Sequence, residues 1–182
     1  MAKIVFGAGC SHSPLLATKP EQWDLRAADD RKNPAHPFRG KVYTYPELEE
    51  LRKGENLADQ IRMDIRRERD ARNQKNLSLL SEKIAAANLD VLVVFGDDQH
   101  EVLMSDNMPG FMVFIGKDVP FKPTSEHRLS VMSEGVKVAN WARVPEQNMT
   151  LRGADELGRY VVQSVVNDGF DVSTSDKFVE RE

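Results

Sequence analysis

The sequence predicts an α/β fold: a largely parallel or mixed central sheet flanked by helices, with a long loop region near the N-terminus. Three observations predict it. The run "LDVLVVFG" at residues 89–96 is continuously apolar, the pattern of a strand buried on both faces of a parallel sheet. Shorter apolar runs recur at Lys3–Gly7, 110–116 and 170–175. Helical periodicity occupies the stretches between them, giving the order strand, helix, strand, strand, helix, strand, which is the signature of helices packed on a sheet.

Taken in order, Lys3–Gly7 is expected to be a short buried strand, followed by a glycine turn that ends at His12 in "GAGCSHSPLL". Residues 17–46 are polar, rich in proline and aromatic residues, and without a clear period, the character of a functional loop or lid. A short helix is expected over Pro46–Lys53, with proline in its first turn, where a missing N–H costs least. From Glu55 to Asn88 the pattern is helical: Leu57, Ile61 and Ile65 make one stripe, Leu77, Leu80 and Ile84 resume it, and a break is expected near Asn73–Asn76. The charged stretch between them reads as a solvated face with ion pairs at helical spacing. Residues 117–150 are loop-rich with some short elements. An amphipathic helix follows over Gly153–Asn167, its apolar face formed by Leu157, Val161, Val165 and Val166 and its end capped by Gly169. There is no internal repeat, low-complexity tract or domain linker.

Composition narrows the function classes. The 182 residues are 40% hydrophobic and 30% charged, a globular balance with enough chain for one sizeable core. The net charge is −4, and the arginine-rich run from Arg62 to Arg72 is interleaved with Asp64, Glu68 and Asp70, which argues against a nucleic-acid partner. No apolar run reaches the roughly 18 residues of a membrane span, and no signal core precedes a cleavage site. The single cysteine, Cys10, excludes an internal disulfide framework and is expected as a small buried residue in a reducing compartment. A cytoplasmic protein is expected.

Four histidines are present: His12, His36, His100 and His127. His12 and His100 share a context, each following an apolar run expected to be a strand. In open α/β sheets ligands sit outside the carboxyl ends of strands, so the two are expected to face one point. Neutral imidazole ligates Zn and Fe(II), and two histidines plus a carboxylate form the facial set of non-haem iron oxygenases. The alternative for each is a hydrogen-bonded loop histidine. His36, in "NPAHPFRG", is a minor candidate for substrate contact, and His127 reads as a surface or cap residue. Asp98 and Gln99 are candidates to orient His100, because ligating imidazoles donate their other N–H to a partner. Asp97, Asp98 and Glu101 are weak candidates for a carboxylate ligand. Met108 and Pro109 are candidate pocket residues. Arg26, Arg31 and Arg39 read as solvated, with pairing to a substrate carboxylate as the second reading. Gly7-x-Gly9 lacks the third glycine of a dinucleotide fingerprint, whose place is held by His12, and neither a phosphate-binding Gly-Lys-Ser/Thr loop nor a Gly-x-Ser-x-Gly elbow occurs.

"SHSPLL" after a first apolar run and "DVLVVFGDDQHE…DNMPGFMVFIG" later resemble the class III extradiol ring-cleavage dioxygenases, the superfamily of the protocatechuate 4,5-dioxygenase beta subunit and the DOPA dioxygenases. The helix-plus-strand "ADELGRYVVQSVVNDGFDVSTS" resembles the family's later helix and strand. The resemblance implies Fe(II) held by His12 and His100 and cleavage of a catechol-type ring with O₂. It also implies a glutamate ligand and an acid/base histidine that this chain does not supply at matching positions. Tyr160 stands where some members carry a helix histidine and is a weak catalytic candidate. Residues 1–182 are thus expected to be a single catalytic-type domain lacking the C-terminal part of the family unit. Two alternatives stand beside the enzyme: a non-catalytic or fragmentary relative serving as a binding or partner subunit, and a zinc enzyme on the same scaffold. A homo-oligomer or a small second subunit is the expected partner.

Overall fold

The structure is a computed structural model that describes residues 3–98 and 103–177. It is a mixed helix and strand chain that divides into two compact units. One comprises residues 1–89 and 124–143, the other 90–123 and 144–182.

The first unit begins with an irregular segment and a 3-10 turn over Pro14–Leu16, then a second such turn at Pro20–Gln22 that runs into helix α1, Trp23–Lys32. A hairpin of β1, His36–Phe38, and β2, Lys41–Tyr43, follows, with His36 opposite Tyr43 and Phe38 opposite Lys41. Its two-residue connection, Arg39-Gly40, has positive φ at both positions (50° and 79°), the requirement of a type I′ turn, whose twist matches that of the strands. The stretch 17–46, expected to be a loop, is therefore largely ordered elements. Its three-residue strands, one containing Pro37, carry almost no periodicity from which to read them.

Helix α2, Tyr45–Arg52, lies where the sequence places it. Thr44 and Glu47 form a capping box, in which the Thr44 N–H and Oγ1–H both donate to Glu47 Oε2 at 2.7 Å. A 3-10 turn at Lys53–Glu55 and the single-turn helix α3, Leu57–Gln60, lead to α4, Met63–Ala86. Helix α4 is one uninterrupted element of 24 residues, without the break expected near Asn73–Asn76. Its half-buried positions are Met63, Ile65, Arg66, Asp70, Asn73, Gln74, Leu77, Leu80 and Ile84, which recur at helical spacing.

The apolar half of that stripe is as expected, but the other half is polar and grips neighbouring chain. Arg66 donates to Asp24 (3.1 Å) and to the Pro20 carbonyl (3.4 Å), Arg67 pairs with Glu21 (2.9 Å), and Gln74 donates to the Leu16 carbonyl (3.0 Å). Arg66 and Arg67 thus bridge to other elements, Arg62 pairs with Asp64 at the start of the helix (2.8 Å), and Leu57 and Ile61, assigned to the stripe, are exposed.

The segment 124–143 closes the unit with α5, Glu126–Val131, and α6, Glu134–Lys137. Helix α1 holds the start of α6 through the Gly135 peptide: Asp29 Oδ2 accepts its N–H (2.8 Å) and Arg26 donates to its carbonyl (3.1 Å). A methyl at Gly135 would meet the Arg26 backbone at 2.7 Å, so the approach requires glycine. Ala139 is buried, as is Thr18, and the Trp141 indole donates to the Ala17 carbonyl (2.9 Å).

The second unit contains β3, Met112–Phe114, β4, Asp118–Phe121, β5, Met149–Arg152, α7, Asp155–Asn167, and β6, Ser173–Ser175. Strand β3 pairs parallel with β6, and β4 antiparallel with β5. Helix α7 packs on β3 at Gly158, whose open side lies against the Phe114 carbonyl. Its half-buried residues are Asp155, Gly158, Val162, Ser164 and Val165, so Leu157, Val161 and Val166, expected on the apolar buried face, are exposed. The helix ends in a Schellman motif: the Phe170 N–H donates to the Val165 carbonyl and the Gly169 N–H to the Val166 carbonyl, with Gly169 at φ 89°.

Two expected strands are not strands here. Residues 3–7 and 91–96 have no regular secondary structure, and Ile4 (92% exposed) and Phe95 (95%) face solvent. Apolar content made these runs read as strands, but a strand exists only through a paired neighbour. No helix among the described residues is long and apolar enough to cross a membrane.

Candidate functional site

His12 lies in the first unit, two residues before the Pro14–Leu16 turn. The chain just after it is held from three directions. The Ser11 hydroxyl accepts the Ser13 N–H (3.1 Å), Gln74 holds the Leu16 carbonyl, and Trp141 holds that of Ala17. The backbone leaving His12 is thus fixed by hydrogen bonds to α4 and to the 140–142 turn. Such anchoring limits how far a side chain at the start of the segment can wander.

Cys10 is exposed, its Sγ 3.4 Å from the Ser11 carbonyl. The expectation of a small buried residue is corrected: with no strand through residues 3–7, nothing carries Cys10 into an interior.

His100 and Gln99 lie outside the described residues. What flanks them is described. Asp98 Oδ2 accepts the Leu103 N–H at 3.0 Å. Asp98, proposed from the sequence as a partner for His100, is thus a hydrogen-bond acceptor for the Leu103 backbone. A turn follows, in which the Asn107 N–H donates to the Met104 carbonyl (2.9 Å), and Met108 is exposed while Pro109 is half-buried. Asp98, Met108 and Pro109 belong to the second unit.

Two further candidates have clear surroundings. His36 Nε2 donates to the Asp30 carbonyl (3.0 Å), and its ring meets Tyr45 edge-on at 5.9 Å. The carbonyl can only accept, so Nε2 carries the proton of this hydrogen bond. Tyr160, on α7, is 68% exposed, and its backbone carbonyl accepts the Ser164 hydroxyl (3.0 Å). His127, in α5, is exposed as expected.

Of the three loop arginines, Arg26 holds the Gly135 carbonyl, Arg31 stacks on Tyr45 (5.4 Å), and Arg39 stacks on Phe38 (5.0 Å). The solvated reading therefore fails for Arg26, which is a structural tie. Sequence reasoning also missed Asp29 and Gln74, whose hydrogen bonds cross more than fifty residues of chain; no local pattern marks such a partner.

Among the described residues no three His, Cys, Asp or Glu side chains come together as a ligand set for a metal ion. The described residues thus contribute His12 alone of the two implied iron ligands, and do not by themselves form a site for iron. Compared with family models, with curated proteins and with solved structures, the chain has no significant match.

Proposed function

We propose that the chain is a non-haem Fe(II) ring-cleavage enzyme of the extradiol type, acting on a catechol-type aromatic with O₂, with His12 and His100 as metal ligands. The observation that carries this reading is the paired sequence context: "SHSPLL" after one apolar run and "GDDQHE…NMPG" after another. The reading expects these runs as strands of one largely parallel sheet with the following histidines at one edge, although residues 3–7 and 91–96 carry no regular secondary structure. The backbone ties on the His12 segment support it, because ligands need rigid mounts.

Bound Fe(II) would hold the catecholate and O₂ side by side, so that orientation supplies much of the acceleration. The chain's own residues have simpler tasks. His12 and His100 would bind iron as imidazole ligands. Asp98 has one oxygen on the Leu103 amide. Met108 and Pro109 offer an apolar wall to a ring.

Anaerobic Fe(II) titration of the wild type beside His12→Ala and His100→Ala tests the reading. About one iron per chain in the wild type, lost in both variants, is expected from a two-histidine mount, followed by O₂ uptake with a catechol. Equal binding by all three, or none by any, would sink it and favour the binding-subunit alternative. Tight Zn binding with no O₂ uptake in the iron-loaded protein would favour the zinc enzyme.

A further inference from the structure

Hairpin β1–β2 and the segment from α2 to Glu55 enclose a cleft of about 220 Å³, lined by Phe38, Arg39, Tyr43, Leu51, Arg52 and Glu55. Its two guanidinium groups both lie over the Phe38 ring, Arg39 at 5.0 Å and Arg52 at 5.2 Å from the centroid. They are differently engaged. Arg52 is bound in a fork to Glu55, through Nε at 3.1 Å and Nη2 at 2.7 Å. Glu55 is held below its usual carboxylate range first by those hydrogen bonds, with the charges of Arg52 and Arg39 adding to them against partial desolvation. Arg39 makes no hydrogen bond or ion pair among the described residues; its contact is the face of Phe38.

Arg39 is also the odd residue of its turn. At φ 50° it sits in the left-handed region, where a type I′ hairpin favours Asn, Asp or Gly. Turn geometry alone therefore does not select arginine here. A bulky residue held in such a conformation points to a task for its side chain.

Charge and size define what the cleft can take. Arg39 and Arg52 against Glu55 leave one positive charge uncompensated, and Lys41, paired with Phe38 across the hairpin, has the same sign. A guanidinium presents a flat fork that matches a carboxylate. Phe38 and Tyr43 supply aromatic surface beside it. The volume is below the ~300–1,000 Å³ of clefts for drug-sized ligands, which limits the occupant to a single ring or a short chain.

We propose that this cleft binds a small monocarboxylate, a one-ring aryl acid or short-chain acid, with the Arg39 guanidinium paired to the carboxylate and the organic part against Phe38 and Tyr43. The proposal does not rest on the iron reading, since it concerns residues of the first unit alone and needs no metal.

Benzoate is the probe, titrated into metal-free protein and followed by NMR at the Arg39 Nε–H and the Gly40 amide, with neutral benzamide as the matched control. The variant Arg39→Asn removes the guanidinium while placing at the turn a residue it prefers, so the hairpin is retained, and unchanged Tyr43 and Val42 amide shifts verify that. Saturable benzoate binding in the millimolar range is expected, at least tenfold weaker in Arg39→Asn and weakened to a lesser degree in Arg39→Lys, which keeps the charge but loses the fork. Benzamide should not saturate. The proposal is overturned if benzoate binds Arg39→Asn as it binds the wild type, if benzamide binds equally well, or if no saturable shift occurs at Arg39 and Gly40.

Discussion

Asp29 shows how one carboxylate can join two distant pieces of chain. It accepts the Gly135 N–H from across 106 residues and so covers a donor that the first turn of α6 leaves open. Hydrogen bonding from the Ser133 side chain, opposed by desolvation and reinforced by the Gly135 N–H and the nearby Lys32 and Arg26 charges, holds its pKa below the ordinary value of 3.8. A folded pKa below the unfolded one means the charged form is favoured by folding, so the contribution is complete above the unfolded value. It is lost as pH falls from there through the folded pKa. Asp29→Asn should therefore melt below the wild type at neutral pH, and the gap should narrow as pH drops below about 4. Thermal melts of both proteins from neutral pH to about pH 3 read this directly; a gap that stays constant throughout would show that the ionised carboxylate is not what holds α6. None of this was legible in the sequence, where Asp29 and Arg26 stand in a polar stretch without period and their partners lie more than a hundred residues on. His36 is a similar case: its proline-rich context gave no sign that it would hold the Asp30 carbonyl.

Elements were legible where local chemistry decides them. Helix α2 announces itself through Thr44, Pro46 and Glu47, a cap and a first turn within four residues. Helix α7 does so through its apolar spacing and Gly169. That glycine is the part open to a simple test. At φ 89° it donates its N–H to Val166 and sets Phe170 to reach Val165, which also carries the Phe170 ring to within 6.3 Å of Phe111 beside β3. An L-residue in this conformation costs about 1–2 kcal/mol. Gly169→Ala should destabilise the protein by about that amount, while Gly169→Asn, better tolerated in the left-handed region, should cost less. Denaturant midpoints rank the three proteins, and an alanine variant as stable as the wild type would show that the motif contributes nothing. Which face a helix buries was less legible. Leu157 and Val161 looked like the inward face of α7, but Gly158 lets the helix sit closer to β3 on its other side. In α4 the inward stripe is polar where it meets carbonyls of the Leu16–Pro20 segment and apolar elsewhere, so periodicity in hydrophobic residues alone could find only half of it.

At the scale of the whole molecule the main departure from expectation concerns residues 89–96. The strand reading of this run rested on Val91, Leu92, Val93, Val94 and Phe95, and apolar content says that such a segment should be covered without saying by what. Here the segment is unpaired, with Val94 77% exposed. Each such side chain taken out of water is worth roughly 1.5–3 kcal/mol, and an open backbone offers N–H and C=O groups to any strand that approaches. Asp90, Asp97 and Asp98 bracket the run but do not interrupt it, and charges placed this way slow association without abolishing it. Burial within one chain is the other way to cover the run. The two outcomes separate by concentration. If the run stays open, the chain should self-associate as concentration rises, and Val94→Lys, which puts a charge at its centre, should suppress this by at least tenfold in the association constant without lowering the melting temperature. Sedimentation across a concentration series reads the difference. A wild type that remains monomeric throughout, with Val94→Lys strongly destabilised, would mean that the run is buried within one chain, overturning the association prediction and favouring the sheet on which the pairing of His12 with His100 depends.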